Sequence, residues 1–244
     1  MGRHRSHAIN LFGAALAVWL VFDMGGLAAS AQPTDQNRYY IQQMIELAAS
    51  NDEYGINATQ QVLAQSPKPQ PRDVAGARAA FERGRALLEQ DQMENALIAL
   101  RQASQADPGH VEAINYLGLT YRKLNRLPEA EMALQQALTL EPTRAVAWFQ
   151  LAQVYGLQND TRRAVGALAN TYRFAENPMR AEEILRNIAE NEAADTLRNA
   201  ALQTLHLYKL PVAAPIVPPL PTNPGILPLN SRSGATPAHR PAVL

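Results

Sequence analysis

Whatever chemistry this chain performs must come from a short list of side chains. It has no cysteine, so disulfides, thiolate metal sites and thiol nucleophiles are excluded, as is lipid attachment through a cysteine. Its five histidines are His4, His7, His110, His206 and His239. None is paired at the i, i+4 spacing that sets two imidazoles on one helix face for a metal. Glu89/Asp91 and Glu182/Glu183 are carboxylate pairs, but they fall at predicted helix ends, where they read as solvated surface charge. There is no P-loop, no G-x-G-x-x-G and no G-x-S-x-G. Asn57-Ala58-Thr59 has the form of a glycosylation sequon, a short motif with little weight alone. The expectation is a protein that is not an enzyme, with no cofactor, no metal and no small-molecule substrate.

Composition narrows the remaining classes. Lys+Arg number 22 and Asp+Glu 22, so no basic excess exists to displace counterions from nucleic acid or to hold an anionic membrane surface. Hydrophobic residues make up 47% of the chain, aromatics only 6%. A core rich in Ala and Leu and poor in aromatics suits helices packed through small residues better than β-sandwiches. The elements that must position any binding residues are therefore helices.

Their arrangement is written in a period of 34. Gly84, Gly118 and Ala152 recur at that spacing, as do Leu87, Tyr121 and Tyr155. So do Ala96, Ala130 and Ala164, and Leu100, Leu134 and Leu168. Ala103 and Ala137 repeat, with Thr171 third; Pro108 and Pro142 repeat, with Glu176 third and Pro178 two residues late. Small residues at fixed positions let two helices of a hairpin approach, and larger ones fill the space beside them. Proline stops the second helix because it lacks an N–H and clashes with the preceding turn. Asp107-Pro108-Gly109 and Glu141-Pro142-Thr143 then read as turns between units.

These residues resemble the tetratricopeptide repeat (TPR) family. Residues 111–144 match best, with Ile114, Leu117-Gly118, Tyr121, Ala130, Leu134, Ala137 and Pro142 in place. Residues 77–110 match except at Arg83, a position usually apolar, and 145–178 match from Trp148 to Leu168 before departing at Thr171. The resemblance implies an all-α, TPR-type helical-repeat solenoid within 74–178. The stripes Ile184, Leu185, Ile188, Ala189 and Leu197, Ala201, Leu202, Leu205, Tyr208 predict a capping helix pair over 179–209, a degenerate fourth unit with its turn at 191–195.

Upstream, 32–66 reads as a helical segment, with helices near 34–49 and 56–64 that dock loosely on the array, and 67–73 as a proline-rich linker. Residues 1–31 have the form of a signal peptide: Arg3, His4, Arg5 and His7, an apolar run from Ile9 to Phe22, then Ala29-Ser30-Ala31. Cleavage after Ala31 would deliver a periplasmic or secreted protein. Membrane attachment follows only if the segment stays uncleaved. Nine of 17 prolines lie in 210–244, a segment that reads as a disordered tail with polyproline II character near Pro215–Pro221.

The resemblance also implies a concave groove lined by the first helix of each unit. Helical phase assigns to it Arg78, Phe81, Arg85 and Leu88; then Glu112, Asn115, Leu119 and Arg122; then Val146, Phe149, Gln153 and Gly156. Aromatic and arginine side chains are the usual makings of a binding hot spot. The lysine–asparagine clamp by which one family subgroup holds chaperone C-termini is absent, since Phe81, Arg85 and Val146 occupy its positions. The function expected is a non-catalytic adaptor in the cell envelope, binding a partner peptide or helix in the groove for assembly of an envelope or secretion complex. A periplasmic chaperone and a signal-anchored accessory protein are the alternatives.

Overall fold

The computed structural model describes residues 33–212. The segment read as a signal peptide, its expected cleavage after Ala31 and the segment read as a disordered tail beyond residue 212 lie outside them. Among the described residues there are ten helices and no strand: α1 Pro33–Ala49, α2 Glu53–Gln65, α3 Val74–Glu89, α4 Met93–Ala106, α5 Val111–Lys123, α6 Leu127–Leu140, α7 Ala145–Leu157, α8 Thr161–Arg173, α9 Pro178–Asn191 and α10 Asp195–Leu207. None of them is long and apolar enough to cross a membrane.

Local sequence explains where these helices begin and turn. Side-chain oxygens of Asp73, Asp160 and Asn177 accept from Gly76, Arg163 and Arg180 backbone N–H groups at 2.8, 3.0 and 3.0 Å, capping α3, α8 and α9. His110 caps α5 with its Nδ1, 3.2 Å from the Ala113 N–H, a structural use of this imidazole. Inside each hairpin the chain reverses through a left-handed residue: Asp91 (φ 60°), Asn125 (φ 57°) and Asn159 (φ 59°). Asp and Asn tolerate this region better than other non-glycine residues. These three positions are also 34 apart, a component of the repeat that the apolar pattern does not contain.

α3–α4, α5–α6 and α7–α8 are three hairpins of one build, each next first helix packing on the second helix before it. A Cβ on Gly84 would lie 2.7 Å from Leu100 Cγ, and one on Gly118 2.5 Å from Leu134 Cγ. The small residues thus stand where the large residue of the partner helix presses in. Gly118→Leu is expected to destabilise the fold by about 1–3 kcal/mol, the usual range for overpacking. Thermal unfolding followed by circular dichroism checks this, and an unchanged midpoint would refute the packing. Arg83 is tolerated because it is exposed on α3, where its guanidinium bonds the Gln102 side chain.

The N-terminal hairpin is not loosely docked. α1 lies against α6 and α8, and Ile41, Met44, Ile45 and Ala48 are fully buried in one core with Leu134, Leu138, Tyr155 and Leu168. Gly166 makes this possible: a Cβ there would lie 2.1 Å from the Ile45 carbonyl oxygen. One turn on, buried Asn170 donates from Nδ2 to the Met44 carbonyl at 3.2 Å. Arg162 pairs with Glu46 at 2.6 Å and Arg173 with Glu53 at 3.1 Å. Beneath α1, Glu131 accepts from Arg163 at 2.8 Å and from Tyr155 at 3.3 Å, and the Arg163 guanidinium lies over the Tyr155 ring. Burial, then the nearby Glu131 carboxylate, pushes the Tyr155 phenol well above its ordinary value. The linker runs back along the array, with the Arg72 and Asp73 N–H groups donating to the Ala106 carbonyl at 2.8 and 3.0 Å.

The C-terminal pair departs from the repeat. α10 packs on α7 and α8 as well as on α9, whereas α9 rests only lightly on α8. Leu197 of α10 covers Gly156, where a Cβ would sit 3.0 Å from Leu197 Cβ. The pair caps the array, but α10 takes up much of the packing against α7 that a regular fourth unit would make with its first helix.

Candidate functional site

The first helices of the units, α3, α5 and α7, carry the residues assigned to the groove, and the structure divides those residues. Arg78 and Arg85 are exposed; Leu88, Leu119, Arg122, Phe149 and Gln153 are half-buried. Arg85 lies within 3.2 Å of Glu82 and 3.9 Å of Glu89 on its own helix. Phe81 and Asn115 do not belong on the surface, since they are 5% and 2% exposed. The reason is the stacking of one unit on the next. The Phe81 ring packs 4.9 Å from His110 and edge-on, 5.4 Å, to Tyr116 of the following unit. Helical phase alone places these positions toward the groove, but the following unit covers Phe81, and Asn115 is buried as well.

Asn115 and Phe149 follow Phe81 at the repeat spacing. Phe149 escapes full burial because the array breaks after α8. The turn residue Pro142 has no counterpart at Glu176; the proline comes two residues late, as Pro178 opening α9. With α9 standing off α8, a cleft of about 610 Å³ remains between α7, α8 and α9. Val146 (54% exposed) and Phe149 line it from α7, Phe174 from the end of α8, and Ala181 and Ile184 from α9. Polar groups rim this apolar floor, among them Thr143, Arg144 and Arg180. Both arginines are already engaged, Arg144 with Glu141 and Glu112, Arg180 with Glu183. The cleft therefore offers apolar contact with a polar, charge-balanced edge.

A smaller recess of about 100 Å³ opens farther along α5 and α7. Arg122, Gln153 and Leu157 line it, with Glu192, Ala194 and Leu197 opposite. Arg122 forms no ion pair among the described residues, and its Nε is buried without a partner. Burial holds its guanidinium below the ordinary value.

Sequence reasoning does not assign Phe174, Ala181 and Ile184 to a site, and gives Ile184 only a place on a capping stripe. The late proline is the available signal that the groove changes character there. Among the described residues no cluster of His, Asp or Glu could hold a metal.

Comparison with known proteins follows the same boundaries. A family model described as tetratricopeptide repeat matches residues 77–110 and 111–144. Two solved structures titled as MamA are similar to this chain. One is 20% identical, covering 72% of this chain and 94% of that one at a TM-score of 0.44. The other is 19% identical, covering 72% and 93% at a TM-score of 0.44. Among the described residues the chain is an all-α helical-repeat array, and it carries two consecutive tetratricopeptide repeats at 77–110 and 111–144.

Proposed function

We propose that this protein is a non-catalytic adaptor of the cell envelope that holds a partner segment in the cleft between α7, α8 and α9. Tetratricopeptide repeats are protein-binding modules. The observation that carries the narrower reading is the half-buried Phe149 beside exposed Val146 on an apolar floor rimmed by polar groups. That is the composition of an interface core with its rim. Arg122, on the same helix series and in no ion pair among the described residues, would add a carboxylate preference and a salt dependence. An extended peptide or a short helix would fit, and assembly of an envelope or secretion complex is the role such an adaptor serves.

A photoreactive residue at position 146 in cells tests this. A discrete protein adduct of constant identity supports an adaptor. A smear of many clients supports the chaperone alternative, and no adduct overturns the site.

The envelope location rests on the sequence of residues 1–31. The mature chain is expected to begin at Gln32, which N-terminal sequencing of protein from the native host would read. Intact Met1 in a membrane fraction would favour the signal-anchored alternative.

A further inference from the structure

On the opposite side of the array, the second helices of successive units form two equivalent grooves, one filled and one open. The groove between α6 and α8 holds α1. The groove between α4 and α6 is the same feature one unit earlier, and it is an open cleft of about 430 Å³. The correspondence runs residue by residue at the 34-residue spacing. Met132 and Gln136, which line the open groove, stand 34 before Gly166 and Asn170, which touch the α1 backbone at Ile45 and Met44. Tyr121 and Thr139 stand 34 before Tyr155 and Arg173, the latter bonded to Asn51 and Glu53. The open groove also adjoins its filled neighbour, because Arg38 of α1 is part of its wall.

We propose that the α4–α6 groove is a second interaction surface, which takes an amphipathic α-helix of a protein partner laid beside α1. The filled groove one unit later shows the kind of occupant that such a helix pair takes, a helix, which Met132 in place of Gly166 would set farther out. Leu117, Tyr121, Met132 and Ala133 supply an apolar floor for a stripe at i, i+3, i+4 and i+7. Met132 is 54% exposed with nothing described above it. Arg101 lies on the rim, exposed and without an ion-pair partner among the described residues, so the helix carries an acidic side chain at that point. A second copy's α1 is a poor fit. Met132 stands where Gly166 admits the α1 backbone, so a helix here must ride higher on a flexible side chain. The surface is separate from the α7–α9 cleft.

The test is selection of phage-displayed helical peptides against the full chain, with affinities measured by fluorescence anisotropy. Enriched peptides are expected to carry the apolar stripe and an acidic residue. Met132→Glu and Arg101→Glu should each weaken binding at least tenfold, while Met132→Leu and Val146→Glu leave it within twofold. Melting curves should stay unchanged, because both side chains are exposed. Failure to enrich helical peptides would overturn the proposal. So would enriched peptides that ignore both groove substitutions or lose binding with Val146→Glu. Light scattering covers self-association: a dimer of the unaltered chain that Met132→Glu dissociates would assign the groove to a second copy instead.

Discussion

Gly166→Leu is expected to release α1 from the array and to lower stability by about 3 kcal/mol, the upper part of the overpacking range. The size of the effect follows from what the new side chain meets. At Gly118 the obstacle is the Leu134 side chain, which can rotate away. At Gly166 even a Cβ would lie 2.1 Å from a backbone carbonyl oxygen of α1. A helix backbone cannot yield without moving the helix, so the α1–α8 contact must open. Opening exposes Ile41, Met44 and Ile45 to water and breaks the hydrogen bond from Asn170 to the Met44 carbonyl. Thermal unfolding would show the loss. Hydrogen exchange would show protection falling in α1 more than in α5. Unchanged protection in α1 would contradict the docking.

A second large effect separates two phenylalanines at the same repeat position. Phe81→Ala should cost about 3 kcal/mol of stability, at the low end of the range for truncating a buried Phe because the first unit sits at the array's edge. Its ring is covered by His110 at the end of its own unit and by Tyr116 of the next. Phe149→Ala should cost clearly less, because one side of its ring faces the open cleft. It should instead weaken partner capture at least tenfold, as truncating a central hot spot commonly does. Paired melting curves and binding isotherms for the two variants decide this. Equal losses of stability would mean that the α7–α9 cleft is closed in solution.

Much of the fold is legible in the sequence because the repeat states one packing solution several times. Gly84/Leu100 and Gly118/Leu134 recur in register, so three hairpins and their turns follow from spacing. The docking of α1 is not legible, for a physical reason. It depends on Gly166, a lone glycine inside a helix whose counterparts Ile98 and Met132 are large and 58% and 54% exposed. A departure from the repeat at one position does not say which distant segment it admits. The candidate site is legible in part. Helical phase finds the face of Val146 and Phe149, but it treats each helix as isolated and so misplaces Phe81 and Asn115. Burial of Phe81 is set by the next unit, and only the break at Pro178 restores exposure to Phe149.

If the α7–α9 cleft holds a protein partner, a charge placed on its apolar floor must disturb that partner directly. The measurement is the affinity of the full chain for the protein crosslinked from position 146, with Val146→Glu beside the unaltered sequence. Val146 is 54% exposed, so the variant should melt as the unaltered protein does. Binding at least tenfold weaker is the predicted result. Equal affinity from an equally folded variant would contradict the cleft assignment and place recognition elsewhere on the chain.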